Sequence, residues 1–150
     1  MVIDHIGIVV RTLEPAIHEW STILGYRQMT EIVANSRQKV RVVFLQKEES
    51  MTVKLIEPTE SASPVFRFAE KGGGLHHLCF RCEDVAAEVA RLEALGFRTL
   101  TPPQPGEAFE NHDIAFVYLQ PLGLNLELID TEVKAKCLAA HLECGNDGLC

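Results

Sequence analysis

The chain has 150 residues, 47% of them hydrophobic, and a net charge of −7, which fits a single domain with a core of its own. No cluster of lysine and arginine interrupts the acidic balance, so nucleic acid and anionic membranes are not expected as partners. The apolar run near the start is too short to span a bilayer and resembles no signal peptide, so we expect a cytoplasmic protein.

The first half begins with an apolar stretch, DHIGIVV, that predicts a strand over 4–10. A helix is predicted in TLEPAIHEWSTILGY, with Thr12 as its cap, Pro15 in its first turn and Gly25 at its end. Three further strands follow, in LGYRQM, VRVVFL and TVKLIEP. The first half therefore reads as one strand, one helix and three strands.

A linker at 58–74 separates the two halves, and it contains a predicted short helix over 64–70. Three consecutive glycines end the linker and precede a strand. Because no helix or Lys-Ser/Thr pair follows them, we interpret the glycines as a hinge rather than a phosphate-binding loop.

The second half repeats the order of the first with a period of about 70 residues. Its helix, in EDVAAEVARLEALGF, has Asp84 as its cap and a predicted apolar face made of Val85, Val89, Leu92 and Leu95. The corresponding strands of the two halves resemble each other in sequence: DHIGIVV and HHLCFRC, LGYRQM and LGFRTL, VRVVFL and IAFVYL, VKLIEP and LELIDT.

The five cysteines are an odd number, which indicates reduced thiols. Cys79 and Cys82 have CxxC spacing but lie in a predicted strand, where residues three apart point to opposite faces. We interpret them as small apolar side chains rather than a zinc or redox pair. The remaining cysteines, Cys137, Cys144 and Cys150, fall in a predicted C-terminal helix or tail over 132–150, whose end is expected to be loose.

The duplicated unit, with DHIGIVV opening one half, GGGLHHLCF opening the other and GLNLELI near the end, resembles the vicinal oxygen chelate superfamily. This superfamily includes glyoxalase I, methylmalonyl-CoA epimerase, extradiol dioxygenases and bleomycin resistance proteins, and the epimerase branch is the most similar. The resemblance implies an α+β fold in which two βαβββ modules, at 2–57 and 75–130 of a domain over 1–131, form cupped mixed sheets around a central cavity. It also implies a small-molecule substrate and a homodimer.

The resemblance places four site residues on the first and last strands of the modules: His5, Lys54, His77 and Glu127. The spacing supports this alignment, because Lys54 follows His5 by 49 residues and Glu127 follows His77 by 50. His5, His77 and Glu127 are the predicted metal ligands, since two imidazoles and a carboxylate suit Zn, Fe, Co, Ni or Mn and leave positions open for substrate. His76 is predicted to face away and to be structural.

Lys54 departs from the superfamily, whose members with four protein ligands have Gln, Glu or His at this position. Its ammonium group cannot bind a metal, so the metal is expected to be absent if Lys54 pairs with Glu127 instead. Alternatively, Lys54 lies beside a three-ligand metal as a catalytic base or a donor to a substrate oxyanion. A third possibility is that Lys54 points outward to solvent.

Three functions follow from the resemblance. The first is an epimerase, isomerase or lyase that stabilises an enolate of a carbonyl compound such as an acyl-CoA. Its weakness is that Val42 stands where some epimerases have a glutamate. The second is a ferrous extradiol-type dioxygenase, for which Tyr118 is the matching tyrosine. The third is a metal-free protein that sequesters a ligand, as bleomycin resistance proteins do.

Overall fold

The computed structural model describes residues 1–139. Over this range the chain forms three α-helices and one mixed sheet of nine strands. The helices are α1 (Leu13–Thr22), α2 (Phe66–Glu70) and α3 (Val85–Ala94). The strands are β1 (Val2–Val9), β2 (Arg27–Gln28), β3 (Val33–Asn35), β4 (Val40–Gln46), β5 (Thr52–Pro58), β6 (Gly74–Arg81), β7 (Arg98–Gly106), β8 (His112–Leu119) and β9 (Leu124–Ile129).

The sheet confirms the predicted α+β fold with two related halves. Its strand order is β2-β4-β5-β1-β6-β9-β8-β7, and β3 also pairs with β4. The first and last strands of each half run parallel, β1 beside β5 and β6 beside β9. The halves join through the antiparallel pair β1 and β6, in which Ile6 lies opposite Leu78 at the centre. The first strands of the two halves are therefore central neighbours.

The repeat is imperfect at the second strand of each half. In the second half this strand is β7, which pairs with β8 along most of its length. In the first half it is divided into β2 and β3, both paired with β4. Between them the backbone bonds to the C-terminal segment, with Glu31 N donating to Lys136 O and Leu138 N to Met29 O. The segment after 131 thus takes the hydrogen bonds that a continuous strand would have used.

The two longer helices cover the sheet with apolar faces, as their sequence periodicity predicts. Asp84 caps α3 by accepting a hydrogen bond from Ala87 N at 2.8 Å, and Val85, Val89 and Leu92 are buried. Leu95, predicted on the same face, is instead 62% exposed, because the helix has already ended there. None of the helices in residues 1–139 is long and apolar enough to cross a membrane.

Two helix starts differ from the sequence prediction. Thr12 occupies the position before α1 but makes no side-chain cap; the Glu57 carboxylate accepts from Leu13 N at 2.7 Å instead. The short helix α2 begins at Phe66 rather than at 64, since the backbone first turns through Ser63, whose carbonyl accepts from Phe66 N.

Candidate functional site

A cavity of about 550 Å³ opens inside the cup of the sheet, a volume typical of small-molecule sites. Most of its wall is apolar, and Val42, Ile56 and Phe116 contribute to it. Its polar lining residues are Arg37, Gln38, Lys54, His76, His77, Thr101, Gln104 and Asn125. No carboxylate lines this cavity among the residues described, and its imidazoles are those of His76 and His77.

The strand register brings together the four residues that the sequence analysis selected. On the two parallel pairs, Gly7 lies opposite Lys54, and the equivalent Cys79 lies opposite Glu127. Lys54 and Glu127 therefore occupy matching positions of the repeat. All four selected side chains, His5, Lys54, His77 and Glu127, are buried. Lys54 thus does not point outward to solvent.

Lys54 forms an ion pair with Glu127 at the centre of this cluster. Its Nζ lies 2.8 Å from Oε1 and 3.0 Å from Oε2, so it donates to both carboxylate oxygens. The ammonium also lies 4.9 Å from the ring centroid of Phe109 and 5.8 Å from that of Phe44, distances at which an aromatic ring attracts a cation. An ammonium has three N–H donors, and the third has no hydrogen-bond partner among residues 1–139.

His5 is fixed on both sides by carboxylates. Its Nδ1 lies 2.7 Å from Oδ1 of Asp4, and its Nε2 lies 3.0 Å from Oε2 of Glu127. The ring also contacts Phe44 and Phe109, with centroids 5.2 and 6.0 Å away. The orientation of this imidazole is therefore set before any ligand binds.

His77 approaches the same oxygen of Glu127 from the other half of the protein. Its Nε2 lies 3.0 Å from Oε2, but the contact is not a hydrogen bond. This buried nitrogen thus has no hydrogen-bond partner in the described part of the chain. Gly7 makes room for the ring, because a Cβ on residue 7 would overlap the imidazole.

The prediction that His76 faces away from the site is wrong. In the pairing of β1 with β6, Gly7 lies opposite His77 but Ile8 lies opposite Leu75, so His76 is an extra residue in a β-bulge. A bulge redirects a side chain that strict alternation would place on the other face. His76 consequently lines the cavity, and its Nδ1 lies 2.9 Å from Nδ1 of His77.

Asp4 is the counterpart of His76 in the first half. It is the residue skipped at the other register shift of β1 and β6, between Ile3 and His5. Just as His76 contacts His77, Asp4 contacts the neighbouring His5. The matching stretches DHIGIVV and HHLCFRC align Asp4 with His76, but only the bulges show that both turn toward the site.

A second buried lysine, Lys134, lies over the same aromatic rings. Its Nζ is 2.9 Å from Oδ1 of Asp4 and lies 5.5 and 5.2 Å from the ring centroids of Phe44 and Phe109. It belongs to the segment after 131, which the sequence analysis had treated as a tail. The pairing of Lys134 with Asp4 spans nearly the whole chain, and no local pattern signals it.

The charges within the cluster shift the pKa values of its members. Burial alone would raise the pKa of Glu127, but the Lys54 ammonium and the hydrogen bond with His5 outweigh it and hold that pKa well below its ordinary value. Burial lowers the pKa of His77 to about 4, and it also lowers the pKa of His76. The two adjacent histidines are therefore neutral at neutral pH, and Glu127 is ionised.

The ligand atoms of this cluster are of the types that bind metals, but the positive charge of Lys54 opposes a metal ion. The ligand atoms of His5, His77 and Glu127 lie within 4.8 Å of one another, and two imidazoles with a carboxylate are common ligands of Zn and Fe. However, both oxygens of Glu127 already accept from the Lys54 ammonium. The positive charge of that ammonium repels a divalent metal. Metal binding by His5, His77 and Glu127 therefore stays a prediction.

Of the other residues considered in the sequence, Cys79 lies near the cluster, since ligand atoms of Asp4, His5 and Cys79 lie within 4.8 Å of one another. Cys79 and Cys82 are free thiols, and burial raises the pKa of both. Tyr118, the tyrosine of the dioxygenase hypothesis, is not among the residues that line the cavity. Cys144 and Cys150 lie outside the described residues.

Comparison with known proteins agrees with this architecture. The ethylmalonyl-CoA/methylmalonyl-CoA epimerase of Cereibacter sphaeroides is 30% identical over 135 residues, which cover 87% of this chain and 96% of that protein. The crystal structure of methylmalonyl-CoA epimerase from Mycobacterium tuberculosis is 29% identical and has a TM-score of 0.74, with 85% of this chain and 86% of that chain covered. A methylmalonyl-CoA epimerase in complex with methylmalonyl-CoA and NH4+ is 28% identical, with a TM-score of 0.73 and coverage of 88% and 96%.

A family profile gives the same assignment as the duplicated strand order. The profile described as the Glyoxalase/Bleomycin resistance protein/Dioxygenase superfamily matches residues 4–141. It extends beyond 131 and so includes Lys134, which pairs with Asp4. The predicted membership is confirmed, and the chain belongs to the Glyoxalase/Bleomycin resistance protein/Dioxygenase superfamily.

Proposed function

We propose that this protein is an epimerase-type enzyme that moves a proton on the carbon next to the carbonyl group of a small acyl compound. The observation that carries the proposal is the free third N–H of Lys54, on an ammonium that two bonds to Glu127 hold at the wall of the cavity. A preorganised cation beside a substrate carbonyl stabilises the enolate that forms when the neighbouring proton leaves.

An acyl-CoA is the substrate class that the relatives support. The C. sphaeroides relative is an epimerase of ethylmalonyl-CoA and methylmalonyl-CoA, and another relative is solved in complex with methylmalonyl-CoA and NH4+. That protein therefore holds an acyl-CoA together with a free ammonium ion, whereas the ammonium group of Lys54 is attached to this chain. Exposed Arg37 at the cavity would bind a substrate carboxylate or phosphate.

Lys54 acts in this proposal as the donor to the enolate oxygen, and His76 acts as the base. His76 lines the cavity and is neutral at neutral pH, so it can accept the proton of the substrate carbon. Its contact with His77 fixes the ring. Protonation of the planar enolate on its opposite face by water, with His76 giving its proton back to solvent, completes the epimerisation.

The ion pair of Lys54 with Glu127 also favours the alternative of a metal-free ligand-binding protein. Such a protein needs the cavity but no proton transfer. The dioxygenase has less support, since Tyr118 is not among the residues that line the cavity. A cytoplasmic location and a homodimer stay predictions.

The test follows the substrate hydrogen in heavy water. The chain is treated with a chelator and incubated in D2O with methylmalonyl-CoA, and mass spectrometry measures deuterium at the carbon between the two carbonyl groups. The proposal expects exchange well above the uncatalysed rate, with a loss of about a hundredfold or more in Lys54→Met and in His76→Phe. Saturable binding of the acyl-CoA without exchange would instead support the ligand-binding protein.

A further inference from the structure

We propose that Lys54 is the resident cation of this site and that it excludes divalent metals from the set His5, His77 and Glu127. The first observation is the occupation of Glu127. Its two oxygens accept from the same ammonium at 2.8 and 3.0 Å, so no carboxylate oxygen is left without a cation. The inference concerns metal binding alone and does not depend on the proposed epimerase activity.

The second observation is that Lys54 cannot readily leave this position. Its side chain is only 3% exposed, and the ammonium lies over the rings of Phe109 and Phe44. Moving it away would leave the buried Glu127 without its partner. The ammonium is thus a fixed part of the site.

The third observation is the charge balance of the buried cluster. Lys54 neutralises Glu127, and Lys134 neutralises Asp4. A dication on the Glu127 oxygen, at a bond length of about 2.1 Å, would lie within about 5 Å of the Lys54 ammonium. It would add two positive charges to a neutral buried group without a new anion, and like charges at this separation repel strongly.

The remaining donors nevertheless form a latent metal site. The Nε2 atoms of His5 and His77 both lie 3.0 Å from Oε2 of Glu127, and the nitrogen of His77 has no hydrogen-bond partner in residues 1–139. Replacing Lys54 by glutamine removes the competing cation, leaves Glu127 as an uncompensated anion and adds a carboxamide oxygen. Lys54→Gln should therefore bind a divalent metal that the wild-type chain does not bind.

The experiment is a titration with Co²⁺ alone, without substrate. The wild-type chain and Lys54→Gln are stripped with a chelator, dialysed and titrated near neutral pH, with calorimetry for affinity and visible absorption for cobalt coordination. We expect Lys54→Gln to bind one Co²⁺ per chain at least about a hundredfold more tightly than the wild type. The gain should disappear in Lys54→Gln/His77→Gln.

Lys134→Gln is the matched control. It removes another buried lysine that packs on the same two rings, but one that pairs with Asp4 rather than with Glu127. If charge removal anywhere in the cluster sufficed, this variant would gain cobalt affinity as well. The inference expects that it does not, and circular dichroism verifies that each variant is folded.

Two results would overturn the inference. Tight one-to-one binding of Co²⁺ by the wild-type chain would show that Lys54 does not exclude the metal, whether or not any variant folds. Absence of binding in both the wild type and a folded Lys54→Gln would show that Lys54 is not the cause of the exclusion. Neither result bears on deuterium exchange, so failure of this inference and failure of the proposed function are distinguishable.

Discussion

The Lys54 ammonium and the Glu127 carboxylate face each other at 2.8 and 3.0 Å inside the protein, although they lie in different halves of the chain. Removing one partner of a buried ion pair leaves the other charge uncompensated. We predict that Glu127→Leu lowers the free energy of unfolding by about 3–5 kcal/mol. Urea denaturation at neutral pH measures the change.

The double variant Lys54→Met/Glu127→Leu is the control for this loss. Because it replaces both charges by apolar side chains, it should recover most of the stability lost in Glu127→Leu. If the two substitutions were instead additive, the residues would not be coupled and the pairing would be incorrect.

The lowered pKa of His77 predicts a loss of stability in mild acid. Burial holds this pKa at about 4 in the folded chain, against about 6.5 in an unfolded chain. Between these pH values only the unfolded chain takes up the proton, so the free energy of unfolding falls as the pH decreases through this window. The contribution of His77 to the fall is about 3 kcal/mol.

Urea denaturation at several pH values from about 7 to about 4 measures this fall. Asp4 and Glu127, whose pKa values are lowered from ordinary carboxyl values, lose their contributions only at lower pH. His77→Gln removes the titrating ring and should flatten the upper part of the profile. An equally steep profile in this variant would assign the acid sensitivity to other groups.

The close contact between Gly7 and the His77 ring predicts that a larger residue at position 7 disturbs the site. Since a Cβ at residue 7 would overlap the His77 ring, Gly7→Ala should displace the ring and lower the free energy of unfolding by about 1–3 kcal/mol. The same substitution in a His77→Ala background should be much less costly. Equal losses in both backgrounds would mean that the glycine is not needed for His77.

Lys134 allows buried and exposed ion pairs to be compared in one protein. Its ammonium pairs with Asp4 and its side chain is 4% exposed, whereas Lys39 pairs with Glu60 and is 44% exposed. Lys134→Met should cost about 3 kcal/mol of stability, and Lys39→Met less than about 1 kcal/mol. Similar small losses would show that the segment containing Lys134 does not pack against the site.

The fold and the central four residues could be predicted because the chain resembles a known superfamily and because its two halves repeat each other. Matching strands place Lys54 and Glu127 at equivalent positions, and the near-equal spacing from His5 and His77 makes the register recognisable. A slip by one residue would have turned each of these side chains to the other face. The alternation of side chains along a strand therefore predicts their direction well where two strands repeat the same pattern.

What the sequence did not reveal depends on irregular or distant contacts. His76 faces the cavity only because a bulge breaks the alternation of its strand. Lys134 reaches Asp4 only because the segment after 131 bonds to the gap between the two short strands of the first half. Neither contact has a local signature, since one is a register shift and the other joins residues near opposite ends of the described chain.

Lys54 holds Glu127 in the place where His5, His77 and Glu127 together would bind a metal ion. The most direct measurement is a crystal structure of the wild-type chain grown with Co²⁺, with diffraction data collected at the cobalt absorption edge. We predict Nζ of Lys54 within hydrogen-bonding distance of both Glu127 oxygens and no anomalous peak among His5, His77 and Glu127. An anomalous peak bonded to these three residues, with the Lys54 ammonium turned away, would contradict the account.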